Sequence, residues 1–511
     1  MSIGRTYSIS LLGLQGAVVE IEADISSNLP AFVLIGLPDT ALGEAKDRVR
    51  SAATNSGCAL PNRKITINLS PAALPKHGSG FDLGIALAAM GAAGMINTVS
   101  IDRVLHLGEL GLDGRLRPIN GILPAVLAAA RAGFETVMVP TGNADEAGLV
   151  PGIRVVAVAS LRDAAIWHGG AFSPEPVEPL LRAAPASLSE HSLDLDEVIG
   201  NADAVEALIV AAAGAHHAFF LGPPGAGKTM LAARLPGLLP DLDADASLEV
   251  SSIRSLAGLP VGGSLSTRPP FENPHHTATA AALVGGGSGQ IRPGAAARAS
   301  HGVLFLDEAP EFSASVLDAL RQPLESGVIS IHRANAVAHF PGRFQLVMAA
   351  NPCPCGQYGA RDSSCTCVPN SRRRYLGRLS GPLLDRIDIQ FRVQRVTSAG
   401  VRASADAPRT TTAAARERVV AARSAAAARL VGTPWSLNSH VPGSWLRGPD
   451  GRLPAAVTAA IDRALERGGI TMRGYDRILR LAWTVADLDG SARPTAAHIG
   501  HALYLRRAIS S

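Results

Sequence analysis

The chain of 511 residues has few aromatic side chains, few cysteines and few lysines. Aromatic residues make up 4% of the sequence against 47% apolar residues, so the cores must be built mainly from aliphatic side chains. Five cysteines are too few for a secreted disulfide scaffold. The length predicts about three domains, because domains usually span ~100–200 residues.

Long hydrophobic runs are also missing. The most apolar window, residues 83–95, is shorter than the ~20 residues that a membrane-spanning helix needs. Residues 1–25 lack the basic segment, apolar core and cleavage site of a secretory signal. We therefore expect a cytoplasmic protein without a membrane partner. The net charge of +4 permits nucleic-acid binding only through a local basic surface.

The positive charges are carried by 43 arginines and only four lysines. One lysine lies in a stretch that fits G-x-x-x-x-G-K-[ST]: Gly222, Pro223, Pro224, Gly225, Ala226, Gly227, Lys228 and Thr229. A short apolar run precedes the stretch and a helical pattern follows it, which is the context of a phosphate-binding loop. Backbone N–H groups would hold the phosphates, Lys228 would reach the β- and γ-phosphates, and Thr229 would bind Mg²⁺. The alternative is an ordinary turn before a helix.

Two apolar stretches further along end in polar residues that complete such a site. Residues 303–306 are followed by Asp307, which we expect to bind Mg²⁺, and by Glu308, which we expect to orient or deprotonate the attacking water. Residues 344–350 are followed by Asn351, which is suited to sense a γ-phosphate. Together these residues predict the hydrolysis of a nucleoside triphosphate.

Four of the five cysteines cluster in one loop: Cys353, Cys355, Cys365 and Cys367. Four thiols in a loop with glycine, serine and aspartate can form a tetrahedral Zn²⁺ site. The C-x-C spacing is less usual at such sites than C-x₂-C. A reduced loop without metal is therefore the alternative.

Composition divides the chain into three blocks and predicts a multidomain α/β protein. Residues 1–172 predict an α+β domain, residues 191–396 contain the phosphate-binding loop and predict an α/β core, and residues 413–511 are helical. Segments 173–190 and 397–412 are rich in proline or small residues and are predicted to be linkers.

Part of the first block resembles the proteolytic domain of Lon proteases. The resemblance lies in residues 108–110 and 114–122, and it implies an α+β fold like ribosomal protein S5 domain 2. Gly80 stands where the Lon nucleophile is expected, and Leu123 stands where its lysine partner is expected. The alternative is Ser79 as a shifted nucleophile, but no lysine lies at the expected downstream position, and Lys76 is too near in sequence for that role. Because a nucleophile without a positioned base is inert, we expect no peptidase activity.

The other two blocks resemble the core and the helical lid of AAA+ ATPases. Asn351 resembles sensor 1, and Arg386 matches the arginine finger that one subunit offers to the nucleotide of its neighbour. Arg473, at the start of a predicted helix, resembles sensor 2, a cation placed over the nucleotide from the lid. The resemblance implies an oligomer whose sites are completed between subunits.

Two further stretches, residues 274–277 and 351–356, identify the family. Together with residues 381–388 and the Lon-like block, they make the chain similar to magnesium-chelatase-like AAA+ ATPases of the ComM (YifB) type over essentially its whole length. This resemblance implies ATP and Mg²⁺ as cofactors and a hexameric ring. It also implies helicase-like translocation on single-stranded or branched DNA, with branch migration in recombination or natural transformation. Arg333, in a predicted hairpin, is the implied DNA contact, and a solvated surface arginine is the alternative. The alternative function is a chelatase-like ATPase that remodels a protein partner without DNA.

Overall fold

The computed structural model of the protein describes residues 3–36, 43–76, 78–182, 193–287, 291–333, 336–358, 365–398, 402 and 409–506. The strands, in chain order, are β1 (Gly4–Leu12), β2 (Gln15–Ser26), β3 (Ala31–Ile35), β4 (Lys64–Ser70), β5 (Leu105–His106), β6 (Glu109–Leu110), β7 (Leu116–Arg117), β8 (Thr136–Pro140), β9 (Arg154–Val158), β10 (Ala218–Leu221), β11 (Phe271–Glu272), β12 (Gly285–Gly286), β13 (Arg292–Pro293), β14 (Val303–Leu306), β15 (Val328–Arg333), β16 (Ala336–Pro341), β17 (Gln345–Ala350) and β18 (Ile389–Arg392).

The helices, again in chain order, are α1 (Ala45–Asn55), α2 (Asp82–Ala92), α3 (Thr98–Ile101), α4 (Ile122–Arg131), α5 (Ala144–Ala147), α6 (Leu161–Trp167), α7 (Ala202–Gly214), α8 (Lys228–Leu238), α9 (Ala244–Ala257), α10 (Ala280–Val284), α11 (Ala295–Arg298), α12 (Ala314–Ala319), α13 (Arg321–Ser326), α14 (Pro369–Leu376), α15 (Gly381–Leu384), α16 (Thr412–Arg429), α17 (Gly443–Leu446), α18 (Ala455–Glu466), α19 (Met472–Leu488) and α20 (Ala496–Tyr504). The mixed α/β character predicted for the chain is confirmed.

The N-terminal elements form a seven-stranded sheet in the order β3-β4-β2-β1-β5-β8-β9. Strand β2 pairs antiparallel with β1 and β4, and the other neighbours are parallel. In β4, Ile65, Ile67 and Leu69 are fully buried and alternate with less buried polar residues, which is the pattern of a strand with one face on a core. Helix α2 packs on that face, and α4 packs on the opposite face.

The central elements form a five-stranded sheet in the order β11-β14-β17-β10-β18, in which all neighbouring strands are parallel. Strands β10, β14 and β17 are buried at every position, as expected where helices cover both faces. The residues that follow these strands meet at one edge, here called the carboxyl edge (222–229, 307–308 and 351). The residues that precede the strands meet at the opposite edge, here called the amino edge (215–217, 301–302 and 385–388).

The C-terminal helices share their core with the central sheet. Helices α16 and α19 pack on α7, and α16 also packs on α8. Their buried side chains belong to one cluster with those of α7 and β10, including Val419, Ile478, Leu208 and Phe220. The helical part is therefore anchored on one face of the sheet by continuous apolar packing.

Two glycines lie in close contacts between the N-terminal part and the central part. The Gly121 amide donates to the Ser255 carbonyl oxygen over 3.0 Å, and a Cβ at Gly121 would lie 3.0 Å from Leu256 Cδ1. A Cβ at Gly13, in the turn between β1 and β2, would lie 2.8 Å from the His339 carbonyl oxygen in β16. The β1–β2 turn therefore contacts the β15–β16 hairpin through its backbone.

The described part of the first predicted linker packs on the N-terminal part. Arg182 donates to the Ile119 carbonyl oxygen over 2.8 Å and forms an ion pair with Glu146 at 3.3 Å. Residues 183–190, and residues 399–401 and 403–408 of the second predicted linker, lie outside the described residues. The domain boundaries stay predictions.

Candidate nucleotide-binding site

The glycine-rich loop joins the end of β10 to the start of α8 at the carboxyl edge. Gly225 and Gly227 have φ angles of +73° and +88°, in the left-handed region that favours glycine. Gly222 passes so close to the Val393 carbonyl group that a Cβ would collide with it. Helix α8 begins at Lys228, so its N-terminus adds a partial positive charge beside the loop. The local backbone therefore suits a bound phosphate.

The Lys228 ammonium group lies inside this loop. Nζ donates to the carbonyl oxygens of Gly222 over 2.7 Å and Pro223 over 3.0 Å, and to Asn351 Oδ1 over 3.1 Å. Burial lowers the pKa of Lys228, and the two carboxylates that follow β14 counteract this effect. The structure thus brings together the predicted phosphate-binding lysine and the predicted γ-phosphate sensor, which lie far apart in the sequence.

The two predicted Mg²⁺ ligands also lie in contact. The Thr229 hydroxyl donates to Asp307 Oδ2 over 2.6 Å. Thr229 stands in the first turn of α8, and Asp307 directly follows β14. Hydroxyl and carboxylate oxygens are the ligands that Mg²⁺ prefers, so this pair fits the ion.

Glu308 follows Asp307 in an uncommon backbone conformation. Its φ angle is +50°, in a region that residues with side chains seldom adopt. The side chain is about half exposed, and Oε2 lies 3.5 Å from His276 Nδ1. In the sequence His276 is recognisable only as part of the 274–277 motif, and nothing in its spacing indicates contact with Glu308. His276 is therefore a site residue that sequence reasoning missed.

Arg386 lies at the amino edge, three residues before β18 begins at Ile389. Strand β18 runs parallel to β10 with Ile389 opposite Ala218, whereas the phosphate-binding loop follows the other end of β10. Four residues of strand span ~13 Å. Arg386 is thus separated from the phosphate-binding loop of its own chain by the length of the strand.

Within the chain, Arg386 is held by partners of its own. Its guanidinium group forms an ion pair with Glu325 on α13 and donates to the Pro382 carbonyl oxygen over 2.5 Å. Burial, and then the nearby charges of Arg473 and Arg477, lower the pKa of Arg386.

A cleft of about 900 Å³ opens at this amino edge. Its lining contains five arginines and four acidic residues: Arg343, Arg386, Arg423, Arg477 and Arg480, and Asp241, Asp243, Glu325 and Asp388. The Nε atoms of Arg386 and Arg477 are buried, and neither has a hydrogen-bond partner in the part of the chain that the structure describes. Because buried unpaired donors are costly, the cleft suits an anion that supplies acceptor oxygens.

The loop that carries Arg386 is fixed by α19. Arg477 donates to the Arg386 carbonyl oxygen over 3.1 Å and forms an ion pair with Asp388. Arg473 Nη1 lies 3.4 Å from Asp385 Oδ2, and its side chain is 74% exposed. Arg473 was predicted to lie over the nucleotide from the lid. Within the chain, the structure pairs it with the Arg386 loop at the amino edge, because α19 packs against that loop, and its role at a nucleotide stays a prediction.

Arg333 ends β15 and stands opposite Ala336 of β16. The residues of the predicted turn, 334 and 335, lie outside the described residues. The hairpin is the element that contacts the β1–β2 turn of the N-terminal sheet. The role of Arg333 as a DNA contact stays a prediction.

The four clustered cysteines do come together: the Sγ atoms of Cys353, Cys355, Cys365 and Cys367 all lie within 4.8 Å of one another. Segment 359–364, between the two pairs, lies outside the described residues. The predicted grouping of the four thiols is thus present, and the identity of a bound ion stays a prediction.

The Lon-like stretch shows no serine–lysine pairing in its described residues. The Lys76 ammonium group donates to three backbone carbonyl oxygens, those of Gly36, Pro71 and Leu74, over 2.6–3.0 Å. Ser79 Oγ donates to Glu109 instead. Because an ammonium group has three protons, these bonds use all of them, and Lys76 has none left for Ser79.

Known proteins resemble this chain over its whole length. The family descriptions "Magnesium chelatase, subunit ChlI", "Subunit ChlI of Mg-chelatase" and "Magnesium chelatase, subunit ChlI C-terminal" match residues 194–401, 21–143 and 409–506. Competence protein ComM of Haemophilus influenzae is 39% identical over 510 residues, which cover 100% of this chain and 98% of ComM. The chain belongs to the magnesium-chelatase-like AAA+ ATPases of the ComM/YifB family.

Other members of the ComM/YifB family support this assignment. An uncharacterized protein of Mycobacterium tuberculosis is 48% identical over 508 residues, 99% of either chain. The uncharacterized protein YifB of Escherichia coli is 38% identical over 513 residues, 99% of this chain and 97% of YifB. Membership of this AAA+ family implies an ATPase that binds ATP and Mg²⁺, and the residues of the carboxyl edge fit both.

The resemblance to Lon is confirmed for part of the ComM/YifB-type chain. Lon protease of Mycolicibacterium smegmatis is 33% identical over 157 residues, which cover 29% of this chain and 20% of Lon.

Among the described residues, no helix combines the length and the apolar character that crossing a membrane requires.

Proposed function

We propose that this chain is the subunit of a hexameric, Mg²⁺-dependent ATPase that couples ATP hydrolysis to translocation on single-stranded or branched DNA, as in branch migration. The observation that carries the proposal is the meeting of Lys228, Thr229, Asp307 and Asn351 at the carboxyl edge, with Arg386 at the opposite edge. The first edge supports nucleotide binding, and the second supports completion of a neighbouring subunit's site.

The carboxyl edge supplies the groups for binding and hydrolysis. Lys228 exchanges the carbonyl oxygens that it now contacts for the β- and γ-phosphate oxygens, which accept stronger, charge-assisted hydrogen bonds. Thr229 and Asp307 hold Mg²⁺, which neutralises charge on the phosphates. Glu308 orients the attacking water and accepts its proton. Since Asn351 Oδ1 accepts from Lys228, its Nδ2 group remains to donate to the γ-phosphate.

The amino edge supplies the groups that act on the next subunit. Arg386 leaves the carboxylate of Glu325 for the γ-phosphate of the neighbour, where it stabilises the charge of the transition state. Arg473 pairs with the same loop, so we propose that it acts on the neighbour's nucleotide as well. Hydrolysis then requires assembly of the ring.

The β15–β16 hairpin is the proposed DNA contact. Arg333 stands at the end of β15 beside the exposed side chain of His332. A cation there would bind the phosphate backbone without reading its sequence, as a translocating motor requires. That one relative is named a competence protein fits this proposal.

The test is the rate of ATP hydrolysis with and without single-stranded or branched DNA. We expect DNA to raise the rate and added salt to weaken the binding, because phosphate contacts release counterions. Arg333→Ala should lower the stimulation, while Arg418→Ala, which removes an exposed arginine paired with Glu206, should keep it. A DNA-independent rate without salt-dependent DNA binding would contradict the proposal. Stimulation by a protein partner alone would favour the chelatase-like remodelling function.

We further propose that residues 1–172 are a Lon-like domain with the S5 domain 2 fold and without peptidase activity, followed by an AAA+ core at 191–396 and a helical lid at 413–511. The bonds of Lys76 to three carbonyl oxygens support the lack of a catalytic base. Incubation with casein and ATP tests this part of the proposal, because cleavage of the casein would contradict it.

A further inference from the structure

The four clustered cysteines have the spacing of ligands around a single ion. The Sγ atom of Cys353 lies 3.3 Å from that of Cys355 and 3.7 Å from that of Cys365, and the last two lie 3.6 Å apart. A tetrahedron of sulfurs with Zn–S bonds of ~2.3 Å has edges of ~3.8 Å. These three distances are close to these edges, and the Sγ atom of Cys367 lies within 4.8 Å of the other three.

Two other uses of four thiols fit less well. A disulfide needs an S–S distance of ~2.05 Å, which is far shorter than any of these separations. A cluster of several irons would place its ligands further apart, since the irons themselves lie between the sulfurs. Four soft thiolates in a tetrahedral arrangement favour a single Zn²⁺ ion.

We propose that Cys353, Cys355, Cys365 and Cys367 bind one structural Zn²⁺ ion, which holds the loop after β17 against the phosphate-binding loop. Binding converts four thiols to thiolates, so Zn²⁺ replaces four protons and the site carries a net charge of −2. A closed site with four protein ligands leaves no open position for catalysis. The ion therefore stabilises the loop and takes no part in hydrolysis.

The position of the loop explains what such an ion would hold in place. Cys353 is fully buried and follows Asn351 by two residues. Gly356 passes so close to the phosphate-binding loop that a Cβ there would lie 2.5 Å from Pro224 Cγ. The Tyr358 amide donates to Cys353 Sγ over 3.4 Å, and hydrogen bonds of this kind orient metal-binding side chains. One ion would thus hold the end of β17, which carries Asn351, against the phosphate-binding loop at Pro224.

The second cysteine pair is tied to the basic helix α14. Val368 alone separates Cys367 from Pro369, where α14 begins. The guanidinium group of Arg372 on this helix lies 3.8 Å from the ring centre of Tyr358. The loop therefore contacts the phosphate-binding loop near its first cysteine pair and continues into α14 after its second pair. The four sulfur atoms lie where these two ends of the loop come together.

The first experiment measures zinc in the purified full-length protein, prepared without a polyhistidine tag. We expect about one zinc per chain. The double variant Cys365→Ala/Cys367→Ala should lose nearly all of it, whereas Cys58→Ala, which removes a buried cysteine far from the cluster in sequence, should keep it. If the double variant does not fold, titration of the wild-type protein with an organomercurial reagent should release the zinc as the cluster thiols react.

The proposed zinc site would be overturned by any of three results: wild-type protein without zinc, protein that holds iron instead, or a double variant that keeps its zinc.

The second experiment compares the binding of a fluorescent ATP analogue. We expect several-fold weaker binding in the double variant than in Cys58→Ala, and equal binding would overturn the role of the ion beside the phosphate-binding loop. Lys228→Ala should keep its zinc, so a failure of the proposed ATPase function is distinguishable from a failure of this inference.

Discussion

The two edges of the central sheet differ in how their polar groups are paired. At the carboxyl edge, Lys228 contacts Asn351, and Thr229 contacts Asp307, all within one chain. At the amino edge, Arg386 and Arg477 have buried Nε atoms that lack a hydrogen-bond partner among the described residues. The polar groups of the carboxyl edge are thus paired within one chain, whereas two donors at the amino edge lack a partner among the described residues.

This difference supports the proposal that each chain contributes to two sites. The groups at the carboxyl edge can hold a nucleotide without help, because their contacts already fix their positions. The cationic amino edge gains most from an anion that another molecule brings, since unpaired buried donors are costly. In the proposed ring, a nucleotide bound at the carboxyl edge of one subunit would be such an anion for the amino edge of the next.

The largest effect should come from removing the cation of the carboxyl edge. Lys228→Ala should abolish ATP binding, because no other lysine lies in the loop, whereas Glu308→Gln should keep ATP binding and lower turnover by ~10²–10⁴-fold. Equilibrium binding and steady-state hydrolysis measure the two effects. Lys46→Ala, at an exposed lysine of α1, is the matched control and should match the wild type. Normal hydrolysis by either site variant would contradict the assignment of the carboxyl edge.

The second prediction separates the two edges by mixing subunits. Arg386→Ala should bind ATP but lose turnover by ~10³-fold or more, as loss of an arginine finger does. Equal mixing with Lys228→Ala should restore about one quarter of the sites, because each site takes its loop from one subunit and its finger from the next. A mixture of Lys228→Ala with Glu308→Gln should stay inactive, since both changes damage the same edge. No recovery between subunits that exchange freely would show that Arg386 does not act across an interface.

The sequence predicts the carboxyl edge far better than the amino edge. The phosphate-binding loop is contiguous, and Asp307 and Asn351 directly follow apolar strands, so parallel strand order alone brings them together. The contacts of Glu325 with Arg386, and of His276 with Glu308, join residues that no local pattern links. Such contacts arise from tertiary packing. No short sequence motif indicates which of these residues will meet.

The position of Arg473 illustrates the same limit. Its place at the start of a helix was predictable, and α19 does begin next to it, at Met472. Which edge of the sheet that helix meets depends on how α16 and α19 pack on α7. Apolar periodicity predicts that a helix has a buried face, but it does not identify the surface on which that face packs.

The third prediction compares one buried and one accessible carboxylate. Burial alone would raise the pKa of Asp388, but Arg477 and His216 hold it well below its usual range. Asp388→Asn should therefore lower the free energy of unfolding by about 3 kcal/mol at neutral pH, because it leaves the buried guanidinium group of Arg477 without its ion-pair partner. Asp307→Asn should change the free energy of unfolding by less than ~0.5 kcal/mol and abolish Mg²⁺-dependent turnover instead.

The pH dependence of unfolding checks this prediction further. The folded state binds the Asp388 proton more weakly than the unfolded state does, so the carboxylate stabilises the fold above its unfolded pKa of ~3.9. That contribution is lost as the pH falls through the lower pKa of the folded state. The difference between wild type and Asp388→Asn in urea unfolding should thus stay constant from about pH 7 to about pH 5 and shrink below about pH 4, and a difference that does not shrink down to about pH 3 would contradict the role of the charge.

The smallest predicted effect concerns the contact that holds Arg386 within its own chain. The Glu325 side chain is 66% exposed, so its ion pair should contribute less than ~1 kcal/mol to stability. Glu325→Gln should leave the free energy of unfolding unchanged. It should raise turnover of the assembled protein by about two- to fivefold, because Arg386 no longer has to leave a carboxylate for the neighbour's phosphate. Glu206→Gln, which removes a carboxylate paired with Arg418, is the matched control. A lower rate in Glu325→Gln would mean that Glu325 positions Arg386 for the reaction and does not compete with the nucleotide.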